Sequence, residues 1–478
     1  MSTIELVFIP APGAGHLASM MNTAKLLLDH DPRLSITVLI FPSSYGSYTV
    51  NTIINPKTSF STVDHIRFID LPHVQPTSDT GNNLLLFFTS LIKSQKPHVR
   101  EVVNELVLTK WGRPDSPRLA GFVFDMLCTP MMEVAKEFGV PSYLYFTSGA
   151  AFLGLQLYIP TLREEQKVDM TELKDSNAEL VLPCLVNPVS ASVLPSIMLD
   201  KDSAAVVLEH AIGIKNTRGI LVNTFTELEL HVIRSLEDCN NNPTIYPVGP
   251  ILNLKRDADD LEIMKWLDGQ PPLSVVFLCF GSMGSFSDEQ VREIAYGLEQ
   301  SGYRFLWSLR KAPSSDQISN PTEFVNLEEV LPEGFLDRTA EKGKIIGWAP
   351  QVEVLGHPAV GGFVSHCGWN SVLESIWYGV PTATWPLYAE QQMNAFEMVV
   401  ELGLAVEIKM DYRREFGFPD DMIVKAEEIE KGIKRLMEED KELRKRVKVM
   451  SEKSRNALTN GGSSQLVLTR FIADVIGS

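Results

Sequence analysis

The chain contains the same succession of elements twice: an apolar run, a glycine-containing turn, and a segment with apolar residues at helical spacing. The first copy starts with Leu6 to Pro10 and continues through the turn Pro12–His16. The second starts with the β-rich run Ser274–Phe280, and the turn Gly281–Gly284 follows it. Strand, turn and helix in this order are typical of parallel α/β sheets. The repeat therefore predicts an α/β protein of two Rossmann-like domains that face one another.

The length agrees with two domains, because 478 residues are too many for one ordinary core. From about residue 240 to residue 260 the composition turns to Asn, Pro, Gly and charged residues, which is typical of a linker. We therefore predict a first domain over residues 1–248, a linker over 249–265 and a second domain over 266–460. Residues 461–478 are predicted to form a closing helix.

Charge and cysteine content exclude several classes of function. A formal net charge of −17 argues against nucleic acid and anionic membranes as partners. We find no basic stretch followed by a long apolar run at the N-terminus, and nowhere 18 consecutive apolar residues, so we expect a cytoplasmic protein, with a monomer as the default. The cysteines are odd in number, scattered and without a CxxC pair, which argues against disulfides and a zinc site: Cys128, Cys184, Cys239, Cys279 and Cys367.

Residues 348–391 concentrate aromatic and polar side chains at fixed points between apolar ones. In chain order these are Trp348, Gln351, His366, Trp369, Asn370, Ser371, Glu374, Glu390 and Gln391. An aromatic ring can stack on a base, a carboxylate can accept hydrogen bonds from two ribose hydroxyls, and the start of a helix can receive phosphates. A well-packed core segment explains the apolar positions but not the polar ones. The segment therefore predicts a site for a nucleotide diphosphate sugar.

This segment closely resembles, over its full length, the signature box of the plant UDP-dependent glycosyltransferases of glycosyltransferase family 1. The resemblance implies a GT-B fold with a deep cleft between two Rossmann-like domains, and a C-terminal helix that crosses back onto the first domain. It implies inverting, metal-independent transfer of glucose from UDP-glucose to a hydroxyl of a small lipophilic metabolite, such as a flavonoid, another phenolic or a terpenoid. The product would be a β-O-glucoside. No cofactor is implied, because the UDP-sugar is a co-substrate.

The resemblance also implies a catalytic pair. His16, in the first turn, corresponds to the catalytic base and would contact the acceptor. Asp125, which ends the apolar run of a later strand, corresponds to the residue that holds and polarises this base. Taken alone, such a histidine is more often structural, and such an aspartate more often caps a helix. Many relatives have Gln-Gly-His where this chain has Ala-Gly-His, which keeps the base.

The same resemblance implies the donor contacts. Trp348 would stack on uracil, the backbone of Ala349 would pair with its edge, and Gln351 and Glu374 would bond the ribose hydroxyls. The phosphates would meet His366, Asn370, Ser371 and Ser282, and the sugar would meet Trp369, Glu390, Gln391 and Thr147. Glu390 stands where aspartate is commoner in the family, which keeps a carboxylate but lengthens its reach.

The acceptor cannot be identified from the sequence. Its pocket should come from the loops of the first domain, where binding residues diversify. Apolar candidates there are Phe87, Phe88, Met126, Phe146, Ile197 and Met198, each of which is as easily interpreted as core.

Several alternatives remain open. The same chemistry could use another UDP-sugar, or the protein could bind a UDP-sugar without catalysis. Gly13-Ala14-Gly15 lacks the third glycine and the later acidic residue of an NAD site, so an oxidoreductase is disfavoured. Asp-x-Asp triplets at 29–31 and 257–259 resemble the metal motif of the other major glycosyltransferase fold, but neither lies in the box, so no metal is expected.

Overall fold

The structure is a computed structural model that describes residues 4–42, 44–45, 48–49, 63, 65–75, 83–111, 117–174, 176–254, 261–313, 321–414, 422–438 and 441–477. The predicted Asp-x-Asp triplet at 257–259 and part of the predicted linker lie outside these residues. No helix in the described ranges is long and apolar enough to cross a membrane.

The first half of the chain builds a parallel sheet. Its described strands are β1 (Ile4–Ile9), β2 (Leu34–Ile40), β3 (Ser44–Tyr45), β4 (Tyr48–Thr49), β5 (Ile66–Asp70), β6 (Arg118–Asp125), β7 (Ser142–Phe146), β8 (Glu179–Leu180), β9 (Val189–Ser190), β10 (Gly219–Val222) and β11 (Thr244–Pro247). In the described part of the chain, seven of them form one sheet in the order β11-β10-β7-β6-β1-β2-β5, with all neighbours parallel. The pairs β3–β4 and β8–β9 are short and antiparallel.

The second half builds another parallel sheet. Its described strands are β12 (Val275–Cys279), β13 (Arg304–Ser308), β14 (Gly343–Ile346), β15 (Val360–Ser365), β16 (Thr382–Thr384) and β17 (Ala405–Glu407). They lie in the order β14-β13-β12-β15-β16-β17, and every neighbouring pair in this described sheet is parallel. Two such sheets with connecting helices confirm the predicted GT-B type of α/β fold.

Helices connect the strands of both sheets. Those of the first half are α1 (Ala14–His30), α2 (Leu84–Leu106), α3 (Met132–Glu137), α4 (Ala150–Glu164), α5 (Ser196–Leu199), α6 (Lys201–Lys215) and α7 (Leu230–Asp238). Those that follow are α8 (Leu261–Asp268), α9 (Asp288–Ser301), α10 (Phe335–Thr339), α11 (Gln351–Leu355), α12 (Trp369–Tyr378), α13 (Gln391–Phe396), α14 (Ala426–Met437), α15 (Lys441–Ala457) and α16 (Ser463–Ile476). Short 3₁₀ or π turns lie at Val107–Trp111, Met126–Met131, Met170–Leu173, Ala191–Val193, Leu327–Glu329 and Glu397–Glu401.

The strands form where the sequence is mostly apolar over five to eight residues, as in β1 and β12. Parallel strands covered by helices on both faces bury every side chain, so they lack the alternation of half-exposed strands. All six residues of β1 and all five of β12 are buried, in agreement. Helix α9 begins with a side-chain cap, since Ser287 Oγ accepts the N–H of Gln290 at 3.3 Å. The side chain of Gln290 bonds the backbone N–H and C=O of Val424.

The last helix, α16, packs on the first sheet although it follows the second in sequence. Phe471 contacts the rings of Tyr143 and Tyr246 edge-on, each at 5.2 Å between centroids. Tyr246 also donates its hydroxyl to Asp474 at 2.6 Å, and Ser464 donates to the carbonyl of Gly249. The C-terminal helix is therefore anchored to the sheet that the first half of the chain forms.

Candidate active site and donor site

A histidine–aspartate pair lies where two neighbouring strands of the first sheet end. His16 is in the first turn of α1, which follows β1, and Asp125 is the last residue of β6. His16 Nδ1 lies 2.8 Å from Asp125 Oδ2, with side-chain exposures of 32% and 0%. The other carboxylate oxygen, Oδ1, accepts the N–H of Leu127 at 3.0 Å. A carboxylate only accepts hydrogen bonds, so Nδ1 carries the imidazole proton and Nε2 is left with a free lone pair.

The charge of Asp125 sets the basicity of His16. Burial lowers the pKa of His16, but the attraction of Asp125 and its hydrogen bond outweigh burial, so the pKa is raised overall. The carboxylate of Glu390, from the second half of the chain, raises the pKa of His16 further. Glu390 precedes α13, which follows β16, so residues that follow strands of both sheets influence the histidine.

An aromatic platform follows β14 in the second sheet. Trp348 is 44% exposed, and the guanidinium of Arg310 lies over its ring at 5.3 Å from the centroid. The backbone N–H of Trp348 is held by Glu323 Oε1 at 3.3 Å. Ala349, next in the chain, is buried. One face of the indole is therefore occupied by the cation, and the rest of the ring stays accessible for a flat ligand.

A second cluster joins α11 to α12. Gln351 Nε2 donates to Ser371 Oγ at 2.8 Å and to Glu374 Oε2 at 2.6 Å. Burial raises the pKa of Glu374 to about 7, although the hydrogen bond from Gln351 acts in the opposite direction. The structure thus places Ser371 with the two residues predicted to bond ribose. Glu374 is poised between its neutral and charged forms at neutral pH.

A ring of backbone donors and one histidine surrounds the start of α12. This helix has Gly368 as its N-cap, without a side-chain cap, so its first N–H groups are open to an anion. His366 is packed against two glycines, since a Cβ at Gly281 or at Gly368 would lie 2.5 Å from its Nε2. Burial lowers the pKa of His366 to about 4, and its Nδ1 has no hydrogen-bond partner in the described residues. Ser282, in the turn after β12, is exposed beside it.

Trp369 and Asn370 contact the first half of the chain. Trp369 is 2% exposed and donates its Nε1–H to the carbonyl of Asn223 at 2.7 Å. Its ring packs on Gly149, where an added Cβ would lie 2.7 Å away. Asn370 Oδ1 accepts the side-chain amide of Asn223 at 3.4 Å. The indole was predicted to face the sugar, but most of its contacts hold α12 against the first sheet.

Gln391 and Thr147 also make contacts within the protein. Gln391 Oε1 accepts the N–H groups of Leu387 and Tyr388 at 2.9 and 3.1 Å, and its side chain also interacts with the hydroxyl of Tyr388, so any further hydrogen bond must be donated by the amide nitrogen. Thr147 follows β7, and its hydroxyl lies 3.3 Å from the sulfur of Met126. Met126 follows Asp125 directly in the chain, so the Thr147 hydroxyl contacts the residue next to the histidine–aspartate pair.

The apolar acceptor candidates fall into two groups. Phe146 and Met198 are fully buried in the core of the first half, so they offer no surface to a ligand in this structure. Phe87 and Phe88 pack edge-on at 5.6 Å between centroids and are half-buried, as are Met126 and Ile197. The half-buried residues are therefore the ones that could contact an acceptor.

Sequence reasoning missed Asn223 and Arg310. Asn223 follows β10 directly and is fully buried, with its Oδ1 accepting the N–H of Ile251 at 2.8 Å. The rule that polar residues after parallel strands line the cleft could have found it. Arg310 follows β13 in the same way. Neither residue belongs to the signature segment, so a prediction based on that segment does not include them.

The described residues contain no group of three or more His, Cys, Asp or Glu that could hold a metal ion. In the Asp-x-Asp triplet at 29–31, Asp29 pairs with Lys25, and Asp31 pairs with Arg33 at 2.6 Å. These carboxylates lie at the C-terminal end of α1 and are neutralised there by neighbouring cations.

A nucleotide-sugar transferase typically has the features described above: two parallel α/β sheets, a histidine–aspartate pair beside the first and an aromatic and polar cluster beside the second. The model of the family described as "UDP-glucoronosyl and UDP-glucosyl transferase" matches residues 196–415. A UDP-glycosyltransferase 71A15 of Malus domestica is 54% identical over 474 residues, which cover 98% of each chain. A UDP-glucose flavonoid 3-O-glucosyltransferase 6 of Fragaria ananassa is 53% identical over 98% of each chain.

Solved structures are similar to this chain over nearly its full length. A transferase of Siraitia grosvenorii in complex with UDP is 47% identical, with a TM-score of 0.88 over 99% of this chain and 100% of that one. Medicago truncatula UGT71G1 complexed with UDP-glucose is 42% identical, with a TM-score of 0.84 over 99% of this chain and 98% of that one. The chain belongs to the plant UDP-glycosyltransferases of family 1, and it is a glycosyltransferase.

Proposed function

We propose that the protein transfers glucose from UDP-glucose to a hydroxyl group of a small lipophilic metabolite, with inversion at the anomeric carbon and without a metal ion. The observation that carries this proposal is the pair of His16 and Asp125, 2.8 Å apart after β1 and at the end of β6, where the carboxylate of Glu390 also raises the pKa of His16. A nucleotide-sugar-binding protein without catalysis would have no need of this pair.

The pair supplies general-base catalysis. A phenol has a pKa near 10 and an alcohol a much higher one, so at neutral pH the nucleophile must lose its proton as it attacks. His16 Nε2 takes that proton, and Asp125 stabilises the imidazolium through Nδ1–H, as in hydrolase triads. The acceptor oxygen attacks the anomeric carbon from the face opposite UDP. A single displacement then forms the β-glucoside and breaks the bond to the diphosphate.

The donor is held by the second sheet. We assign uracil to the open face of Trp348 and the backbone of Ala349, and the ribose hydroxyls to Glu374 and Gln351. The diphosphate is assigned to the start of α12 with Asn370 and Ser371, to Ser282 and to neutral His366. The sugar is assigned to Glu390, to the amide nitrogen of Gln391, to Thr147 and to the edge of Trp369.

The leaving group is stabilised by fixed donors. The N–H groups at the start of α12 carry a partial positive charge that interacts favourably with the developing charge on UDP. His366 is neutral near pH 7, so it acts as a hydrogen-bond donor or acceptor and not as a cation. On this assignment, EDTA leaves the rate nearly unchanged. A strict requirement for Mg²⁺ or Mn²⁺ would contradict it.

The acceptor class follows from the relatives and the pocket candidates together. The Fragaria ananassa relative is named as a flavonoid 3-O-glucosyltransferase, and a Manihot esculenta relative, 52% identical, as an anthocyanidin 3-O-glucosyltransferase. Phe87, Phe88, Met126 and Ile197 would give an apolar pocket suited to a flat phenolic ring system. A flavonoid or related phenol is therefore the proposed acceptor, with a terpenoid as the second choice.

The test is turnover of UDP-glucose against a mixed panel of flavonoids, simple phenols and terpenoid alcohols. The expected product has a β-linked glucose, which the anomeric coupling in its NMR spectrum identifies. Parallel reactions with UDP-galactose and UDP-glucuronic acid test the donor. An α-linked product would contradict inversion. Binding of UDP-glucose without turnover of any acceptor would favour the non-catalytic alternative.

A further inference from the structure

Arg310 is a buried cation at the edge of the donor site. It follows β13, is 7% exposed, and donates from Nη2 to the carbonyl of Gly281 at 2.9 Å and to that of Ser282. These carbonyls belong to the turn after β12, where Gly281 has a φ of 73°. The guanidinium therefore fixes two consecutive peptide groups of that turn.

The fixed peptides point their N–H groups away from Arg310. A trans peptide is planar and its N–H is directed opposite to its C=O, and the peptides of this turn are trans. The N–H groups of Ser282 and Met283 thus point away from the guanidinium, and Ser282 itself is exposed. In the described part of the chain neither N–H has a hydrogen-bond acceptor. Successive open N–H groups of this kind form a concavity that favours an anion.

The same guanidinium supports the aromatic platform. Its central carbon lies 5.3 Å from the ring centroid of Trp348. A cation over one face of an indole is an attractive contact and leaves the opposite face for stacking. One side chain therefore sets the position of both the turn proposed to meet phosphate and the ring proposed to meet uracil.

Within the described ranges, Arg310 forms no ion pair with a carboxylate, although it is buried. The carboxylate of Glu323 influences Arg310 at longer range, and its Oε1 accepts the N–H of Trp348. A buried charge without a paired opposite charge is costly. An anionic ligand beside the turn would offset that cost.

We propose that Arg310 is a charged positioning residue of the donor site, which holds the turn at Gly281–Ser282 and the ring of Trp348 in place and sets its positive charge against the diphosphate of the UDP-sugar. This inference rests on the proposed function, because it takes the diphosphate to lie at this turn. It extends that function to a residue outside the signature segment.

The experiment compares a charged ligand with a neutral one. Dissociation constants of UDP and uridine are measured by titration calorimetry, with uridine measured by displacement of UDP. Arg310→Met keeps a long apolar side chain but removes the charge and the hydrogen bonds. Arg310→Lys keeps the charge. Arg304→Met is the matched control, since Arg304 lies at the other end of β13 and donates to Gln270 at 3.0 Å. Thermal melting checks the folding of each variant.

Arg310→Met should weaken UDP by about 10- to 100-fold, the usual worth of a charge-assisted interaction. It should weaken uridine by only about two- to fivefold, through the lost contact with Trp348. Arg310→Lys should fall between wild type and Arg310→Met for UDP, and it carries the test if Arg310→Met does not fold. Arg304→Met should bind both ligands as the wild type does.

Two results would overturn the inference while leaving the proposed function intact: UDP affinity unchanged in both Arg310 variants, or equal losses for UDP and uridine. Equal losses would mean that Arg310 only supports the fold of the site. A wild-type protein that binds no UDP would contradict the proposed function itself, and this inference with it.

Discussion

Replacement of Asp125 by asparagine tests the proposed base, because the structure fixes how the new amide must lie. Asp125 Oδ1 accepts the N–H of Leu127 at 3.0 Å, and Oδ2 faces His16 Nδ1 at 2.8 Å. An asparagine must keep its oxygen toward the N–H of Leu127, since two donors cannot face one another. Its NH₂ group then points at His16 Nδ1. The imidazole must accept there, so Nε2 becomes protonated and can no longer accept a proton from the substrate.

Asp125→Asn is expected to remove general-base catalysis entirely, which lowers kcat by about 10²–10⁴-fold. The fall in kcat should therefore be about as large as for His16→Ala. Asp125→Ala is expected to retain more activity than Asp125→Asn, because it frees His16 to adopt either tautomer. The loss should be greatest for aliphatic alcohols and smaller for acidic phenols, which ionise without help. The assay is kcat at saturating UDP-glucose with one acceptor of each kind.

The pH profile gives a second readout. Protonated His16 cannot act as a base, so kcat falls as the pH drops through the pKa of His16. Asp125 raises that pKa against the opposing effect of burial, so in Asp125→Ala the acid limb should move to lower pH. Asp29→Asn, which alters an exposed carboxylate paired with Lys25, is the control. An Asp125→Asn enzyme with more than about a tenth of wild-type kcat on alcohols would refute the tautomer argument.

Three further variants test the donor site and the interface between the halves. Trp348→Ala should weaken donor binding by about 1–3 kcal/mol, visible in KM for UDP-glucose with little change in kcat, and an unchanged KM would remove the ring from the site. Glu374 has a pKa of about 7, and ribose hydroxyls favour its charged form, so UDP-glucose should bind about tenfold more weakly at pH 6 than at pH 8. Calorimetry should find this pH dependence absent in Glu374→Gln. Burial and the neighbouring Glu229 raise the pKa of Glu397 well above its ordinary value. The folded protein therefore loses stability as the pH rises from the pKa of Glu397 in the unfolded chain toward its pKa in the folded protein. Glu397→Gln should therefore melt higher than wild type at pH 8 and similarly at pH 5.

The sequence allowed the fold to be predicted because each half repeats one local pattern. Buried parallel strands need continuous apolar runs, and runs such as Ser274–Phe280 stand out between turns and helices. His16 and Asp125 could be proposed because each follows or ends such a run, and the family resemblance assigned them roles. Their distance of 2.8 Å required the structure, since it depends on the neighbouring positions of β1 and β6 in the sheet.

Other features could not be predicted, because they depend on contacts distant in sequence. Ser287 and Gln290 have the spacing of a capping box, but the side chain of Gln290 bonds both backbone groups of Val424, from a segment far along the chain. Gln391 was predicted to face the sugar, yet its oxygen is held by the backbone of Leu387 and Tyr388. A polar side chain hydrogen-bonds to buried polar groups nearby, because leaving a buried group unpaired costs more free energy than leaving an exposed one unpaired.

The overall charge of the chain explains why the donor site takes this form. At a net charge of −17, the protein repels a UDP-sugar at long range, so attraction must come from groups close to the diphosphate. The start of α12 and the open N–H groups of Ser282 and Met283 carry partial positive charges that no change of pH removes. His366 stays neutral because burial lowers its pKa to about 4. In the proposed donor site, fixed dipoles and the guanidinium of Arg310 hold the phosphates, and titrating side chains do not. We therefore expect phosphate binding to vary little with pH between 6 and 8. The pH dependence expected from Glu374 is then a property of the ribose end of the donor.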